Sequence, residues 1–370
     1  YEQYAELPMP DVVIIGNALS RGNPAVEHVL TQGWYYISGP QWLYENVLRY
    51  KKVLAVSGTH GKTTTSSILA WILEYAGLSP SFLIGGIPKN FETSARMTES
   101  PFFVIEADEY DSAFFDKRSK FLYYRPHYLI INNIEFDHAD IFAGIDDIKK
   151  QFHYLLRTVA KTGRVFFPRH DQIVDATLSM GLWTPTESFG ENDCTWRIEM
   201  KKNDGQHFAI HYQGNSYSVI WLLLGKHNVF NACAAIAAAH AIGVDISIAA
   251  EALMHFKPVK RRLEKIATVN TIEIYEDFAH HPTAIRTTLE GLRYHKPQGR
   301  IITLLELASN TMRAGIHKDT LIPSLALSDE TYILQTNILH NVYAILLINL
   351  IFFIMTLLTT SSQKCVKKLN

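Results

Sequence analysis

The sequence predicts an α/β protein organised around a phosphate-binding strand, loop and helix, and three observations carry that expectation. Lys51 to Leu78, KKVLAVSGTHGKTTTSSILAWILEYAGL, reads as a buried strand (Val53 to Val56), a turn (Ser57 to Gly61) and a helix (Thr63 to Ala76) that Gly77 ends. Two further apolar runs, Pro101 to Ala107 (PFFVIEA) and Tyr128 to Asn132 (YLIIN), have the length of buried strands, and each leads into acidic residues. Between Gly163 and Val219 the text turns to shorter alternating segments, such as Thr195 to Met200 and His207 to Tyr212. Asn-Asp-Gly and Gly-Asn turns separate them, so an antiparallel patch is expected at the edge of a mostly parallel sheet.

Length and charge narrow the class. At 370 residues the chain exceeds one core and implies two or three domains. Its 35 Lys and Arg against 36 Asp and Glu give no electrostatic footprint for nucleic acid. Cys194, Cys233 and Cys365 have no metal-type spacing and fit a reducing compartment. Tyr1 to Pro10 has neither the basic start nor the apolar stretch of a signal peptide, so a cytoplasmic location is expected.

Taken in order, the chain opens with two strand and helix pairs, Val12 to Ile15 with Pro24 to Leu30, then Trp34 to Ile37 with Gln41 to Leu48. These are too few for an open sheet, and 1–49 is expected to be the remnant of a larger domain. The central domain is expected over 50–260, closing on an alanine-rich helix from about Asn228 to Ala241. A new α/β unit is expected from Arg261 to residue 332. It comprises a strand at Thr271 to Asp277, a helix with Pro282 in its first turn and a strand at Arg300 to Leu305. Val342 to Leu358 is an apolar run at the short limit for a bilayer span, followed by Lys364, Lys367 and Lys368. One span cannot leave both flanks in the cytoplasm, so 333–370 is expected to be an altered or out-of-frame tail without membrane contact.

The chemistry concentrates at three strand ends. In G-T-H-G-K-T, Gly58 and Gly61 let backbone N–H groups approach a phosphate, and the helix N-terminus adds its partial positive charge. Lys62 is expected at the terminal phosphates, exposed on the loop, with the Thr63 hydroxyl on Mg²⁺. The longer G-x-x-x-x-G-K-[ST] pattern is incomplete, because its first glycine falls on Val56. Gly58, Thr59, His60, Gly61, Lys62, Thr63 and Thr64 form the candidate ATP-binding set. Glu106, Asp108, Glu109 and Asp111 follow the next strand, placed to hold Mg²⁺ directly or through water. His138, between Asp137 and Asp140, joins them after the third strand. Asn228 and Asn231 stand on the first turn of the alanine-rich helix, where they could cap it or hydrogen-bond a base.

Six motifs in this order, GTHGKTTT (Gly58 to Thr65), EADEYD (Glu106 to Asp111), NIEFDHAD (Asn133 to Asp140), GKHNVFNACAAIAA (Gly225 to Ala238), RRLE (Arg261 to Glu264) and EDFAHHP (Glu276 to Pro282), resemble the Mur ligase family. SRGNPAVE at Ser20, SGPQWL at Ser38, AFFDKRSKF at Ala113 and SNTMRAGIHKDTL at Ser309 are similar to the branch that uses a murein tripeptide rather than to the L-alanine-adding branch. The resemblance implies a UDP-sugar domain, a central ATPase domain and a Rossmann-like C-terminal domain, the two outer ones partial here. It implies an ATP-dependent ligase in which the lactyl carboxylate of UDP-N-acetylmuramate is phosphorylated. The amine of L-alanyl-γ-D-glutamyl-meso-diaminopimelate then displaces phosphate, a step in peptidoglycan recycling. By motif position, Thr63 and Glu106 go to one Mg²⁺, His138 to a second, and Asn228 and Asn231 to adenine. Arg262, Asp277 and His280 are expected over the nucleotide when the C-terminal domain closes. Two departures stand out: the glycine-rich uridine-binding turn is missing, and Ala308 replaces an arginine in the Glu306 to Thr311 stretch. The alternatives are therefore an L-alanine ligase of the same chemistry, or a nucleotide-binding fragment without ligase activity.

Overall fold

A computed structural model describes residues 8–334 and the backbone of 367–369. The chain divides into two compact units, Tyr1–Phe278 and Ala279–Asn370. Most of the expected tail, with Val342 to Leu358 and Cys365, lies outside the described residues. Among the described residues no helix is long and apolar enough to cross a membrane.

The first unit opens with β1 (Val13–Ile15), α1 (Pro24–Gln32), β2 (Tyr36–Ser38) and α2 (Gly39–Asn46), β1 and β2 pairing in parallel. Asn23 caps α1 by accepting from Ala25 N at 3.0 Å, and Gly33 closes the helix in a left-handed conformation. Next come β3 (Lys52–Ser57), α3 (Lys62–Tyr75), β4 (Ser81–Leu83), β5 (Ala95–Arg96), β6 (Phe102–Glu106), and a small hairpin of β7 (Asp111–Ala113) and β8 (Asp116–Ser119). They are followed by α4 (Phe121–Tyr124), β9 (Tyr128–Ile131), α5 (Ile145–Leu156), β10 (Arg164–Pro168), α6 (Gln172–Ser179), β11 (Thr186–Gly190), β12 (Trp196–Met200), β13 (His207–Tyr212), β14 (Asn215–Ile220), α7 (Lys226–His240) and α8 (Ile246–Met254).

Ten of these strands form one sheet in the order β14-β13-β12-β11-β10-β9-β3-β6-β4-β5. Pairing is parallel from β12 to β4 and antiparallel at both edges, β12-β13-β14 on one side and β4-β5 on the other. The antiparallel patch is thus narrower than its sequence suggested. Arg164–Pro168 and Thr186–Gly190 join in parallel because α6, capped by Asp171, supplies a crossover between them.

Helices cover both faces. On one, Ile68, Leu69, Ile72 and Leu73 of α3 pack with α7 and α8. The run of α7 from Ala232 to Ala239 is entirely buried, as expected of a helix apolar all round. On the other face, Phe121, Phe152, Leu155, Leu156 and Val174 fill the space under α4, α5 and α6. β3 lies between β6 and β9, with its own crossover leading toward β4, so the strand order reverses around it. The loops after β3, β6 and β9 consequently converge at the carboxyl ends of three adjacent strands, where open α/β sheets bind ligands.

The strand expected at Thr271 to Asp277 forms as half of a hairpin. Ile272–Glu276 is the second strand of an antiparallel hairpin, β16, paired with β15 (Glu264–Val269) across Asn270 and Thr271. Asn270 takes the left-handed φ of 53° that a two-residue hairpin turn needs, a role the Asn-Thr pair does not announce. Both strands belong to the first unit.

The second unit contains α9 (Pro282–His295), β17 (Ile302–Glu306), α10 (Asn310–Arg313), α11 (Lys318–Ser324) and β18 (Glu330–Leu334). β17 and β18 are parallel, and β19 (Lys367–Leu369) adds to β18 antiparallel. Ile285, Leu289, Leu305, Met312 and Leu325 form its core. Ala308 follows β17, its carbonyl accepting from Arg313.

Candidate active site

The phosphate loop is held from both sides before any ligand is considered. His60 N donates to Asn133 Oδ1 at 2.8 Å, Asn133 Nδ2 returns a bond to the His60 carbonyl at 3.1 Å, and Thr59 N donates to the Asn133 carbonyl at 3.2 Å. Asn132 Nδ2 reaches Thr65 Oγ1 at 2.9 Å. Thr64 is buried in the first turn of α3. Gly58 and Gly61 both take positive φ, and Gly61 at +80° caps α3.

Lys62 is the first residue of α3 and is buried, not exposed as its place after the loop suggested. Its Nζ donates to the Gly58 carbonyl at 2.7 Å and to Glu109 Oε2 at 3.1 Å, with Asp108 Oδ1 at 3.7 Å. Burial pulls its pKa down, but the charges of Glu109, Asp108 and Glu106 outweigh this and hold it above its ordinary value, so it stays an ammonium. Glu109, 1 % exposed, also places Oε1 3.6 Å from His138 Nε2. His138 stands at a left-handed φ of 54°, unusual for a non-glycine residue and typical of strained functional positions.

Beside this pair, Thr63 Oγ1 donates to Glu106 Oε1 at 2.8 Å, and Glu106 Oε2 accepts from Gly85 N at 2.7 Å. Burial, then the charge of Asp108, raises the Glu106 pKa against the opposing pull of Lys62. A hydroxyl and a carboxylate oxygen this close suit a hard cation such as Mg²⁺, which takes oxygen donors.

Arg262 reaches the same place within the first unit, donating to Thr63 Oγ1 at 3.2 Å. Its segment is tied down on the way: Lys257 N donates to Asn90 Oδ1 at 2.7 Å, Lys260 N to the Ile87 carbonyl at 3.1 Å, and Lys89 pairs with Glu264 at 2.7 Å. Leu263 N donates to Asp277 Oδ2 at 2.6 Å, while Arg261 and Leu263 on either side of Arg262 hold positive φ. Arg262 thus stands beside Thr63, while Asp277 bonds the backbone next to it. His280 falls in the second unit, two residues before α9.

Asn228 and Asn231 are buried and linked. Asn228 Nδ2 donates to the Leu224 carbonyl at 2.8 Å, Asn231 Nδ2 to Asn228 Oδ1 at 3.2 Å, and Asn132 Nδ2 to Asn231 Oδ1 at 3.4 Å. They extend the network that fixes the loop. Asn132, Asn133 and Glu109 were given no separate part by the sequence reading. The signal for the first two was the polar pair ending an otherwise apolar strand; Glu109 had none beyond its cluster.

His227, next to Asn228, is buried, and burial followed by the charge of His60 lowers its pKa to about 4. Unfolded, it would titrate near 6.5, so below that pH the unfolded chain binds the extra proton. The stability it contributes is complete above about pH 6.5 and falls by up to about 1.4 kcal/mol per pH unit down to about pH 4. His227→Asn is expected to flatten the acid side of a plot of urea midpoint against pH. An unchanged slope would remove His227 as its source.

Residues 56–239 match the Mur ligase middle domain, and residues 261–346 match the Mur ligase, glutamate ligase domain. The chain is 51% identical over 330 residues to a UDP-N-acetylmuramate--L-alanyl-gamma-D-glutamyl-meso-2,6-diaminoheptandioate ligase from Haemophilus influenzae, covering 89% of this chain and 73% of that protein. A UDP-N-acetylmuramate--L-alanine ligase from Desulforapulum autotrophicum is 33% identical over 299 residues, covering 80% and 64%. The crystal structure of a murein peptide ligase from Psychrobacter arcticus superposes with a TM-score of 0.73 at 44% identity, covering 89% of this chain and 72% of that one. With its loop, acidic strand end and histidine gathered as described, the chain belongs to the Mur ligase family.

Proposed function

We propose that this chain is an ATP-dependent ligase that joins L-alanyl-γ-D-glutamyl-meso-diaminopimelate to UDP-N-acetylmuramate in the cytoplasm, recycling cell-wall peptide. The observation that carries the reading is the convergence of three strand ends on Lys62, Thr63, Glu106, Glu109 and His138. The greater identity to the tripeptide ligase, 51% against 33%, supports the tripeptide over free L-alanine as the amine.

Phosphorylating a carboxylate brings two anions together, so charge neutralisation should supply most of the acceleration. Lys62 and the N–H groups of the loop and first turn of α3 hold the terminal phosphates. Arg262, already on Thr63, adds a second positive group on that side. Thr63 and Glu106 would hold one Mg²⁺, and His138 a second. When bound, the metal offsets phosphate charge that the protein's own cations leave over. The carboxylate oxygen forms its bond to the γ-phosphorus as ADP leaves. The peptide amine then attacks the acyl carbon, phosphate departs, and the proton lost by the amine leaves with it as hydrogen phosphate. Asn228 and Asn231 serve the adenine side through the network that positions the loop, and Asp277 keeps Arg262 in place through Leu263.

Supplying UDP-N-acetylmuramate and Mg·ATP with either the tripeptide or L-alanine tests the reading. Phosphate release with the tripeptide, and a product with its mass added, is expected. Release with L-alanine alone would replace it. His138→Ala is expected to raise the Mg²⁺ concentration for half-maximal rate about tenfold while Mg·ATP still binds through Thr63 and Glu106. Superimposable Mg²⁺ titrations of the two proteins would remove His138 from the metal site.

A further inference from the structure

Lys120 leaves the β7-β8 hairpin, which folds back on the acidic loop: Lys120 N donates to the Tyr110 carbonyl at 3.0 Å and Phe121 N to the Asp108 carbonyl at 3.3 Å. That return lays its ammonium over the Tyr110 ring, Nζ 3.9 Å from the centroid. The same ring lies 5.4 Å from the His138 imidazole. Lys120 is half-buried, within electrostatic reach of Asp108, Asp111, Glu106 and Lys62. Lys62 spends its charge on Glu109 at 3.1 Å. Among the described residues the Lys120 ammonium has no carboxylate at ion-pair distance and no hydrogen-bond acceptor; its contact is the ring face.

We propose that Lys120 binds the carboxylate that is to be phosphorylated, an inference that rests on the ligase reading above. Glu106, Asp108 and Glu109 make the wall of the site negative, so an entering carboxylate needs a cation not already neutralised. Lys62 heads α3 at the end of the phosphate loop, and Arg262 bonds the neighbouring Thr63, so both stand on the nucleotide's side. Lys120 lies instead on the Tyr110 ring, whose other neighbour is the His138 imidazole, and there it would meet an anion approaching the terminal phosphate. In the transfer, one carboxylate oxygen gives its electron pair to the γ-phosphorus, and the bridging oxygen leaves with ADP. Lys120 donates hydrogen bonds to the other oxygen and keeps its proton.

The test compares UDP-N-acetylmuramate with the same sugar nucleotide lacking the lactyl ether, UDP-N-acetylglucosamine, by calorimetry on the full chain with Mg²⁺ and a non-hydrolysable ATP analogue. Wild type is expected to favour the carboxylate-bearing ligand about tenfold or more, the worth of a charge-assisted hydrogen bond. Lys120→Met should collapse that preference while leaving the affinities for UDP-N-acetylglucosamine and the ATP analogue unchanged, and Lys120→Arg should keep most of it. A preference that survives Lys120→Met, a wild type with no preference, or a loss confined to the ATP analogue would each overturn the assignment while leaving the ligase reading in place. A wild type that binds neither sugar nucleotide would overturn that reading and this inference together.

Discussion

Lys62→Ala is expected to lose the reaction and a measurable part of the stability at once. The catalytic loss follows from removing the buried ammonium at the head of α3, and should be about 10²- to 10³-fold or more in kcat. The stability loss follows from Glu109, which is 1 % exposed and would be left as a buried charge without its lysine. Breaking such a pair on one side costs about 3–5 kcal/mol. The two effects separate in the double variant Lys62→Met with Glu109→Gln, which removes both charges. Its urea midpoint should return toward wild type while its turnover stays at the level of the single variant. If Lys62→Ala unfolds at the wild-type midpoint, the pair contributes nothing to the fold.

Gly61→Ala is expected to be nearly as damaging, for a steric reason. At φ +80° an L side chain is strained by about 1–2 kcal/mol. Its Cβ would also sit 2.6 Å from Asn231 Oδ1 and 2.8 Å from Asn132 Nδ2, the two side chains that connect α7 and β9 to the loop. Neither can withdraw freely, since Asn132 is held by Thr65 and Asn231 by Asn228. The loop must shift, and Mg·ATP affinity should fall at least about tenfold, with about 2–4 kcal/mol of stability lost. Calorimetric titration of the nucleotide into both proteins decides this; equal affinities would show that the contact relaxes without cost.

What the sequence showed and what it hid divide along a physical line. Strand β3, the loop and α3 were readable because strand length, glycine punctuation and helical spacing are local properties of the Lys51 to Leu78 stretch. α7 was readable because Ala232 to Ala239, with six alanines in eight residues, has no polar face to turn to water. The hairpin of β15 and β16 was not, since Asn270-Thr271 lacks the glycine that marks most such turns, and only its second strand shows in the sequence. Crossover α6 was too short to register, so parallel strands looked like hairpins. At the site, residue types were visible but depth was not. Lys62 follows a glycine in a loop motif, and only the fold shows that the acidic strand end of β6 closes over it. Arg262 lies 199 residues from Thr63, and its place depends on backbone bonds to Ile87 and Asn90 that no local pattern encodes.

The asparagine pair after β9 has a thermodynamic consequence. Because Asn132 and Asn133 bond both chain directions of the Thr59 to His60 segment, the entropy of ordering that segment is lost when the sheet forms, not when a nucleotide arrives. Affinity for the phosphates is thereby coupled to the integrity of β9, so a defect in the core beneath that strand would surface first as weakened nucleotide capture in a chain that still counts as folded.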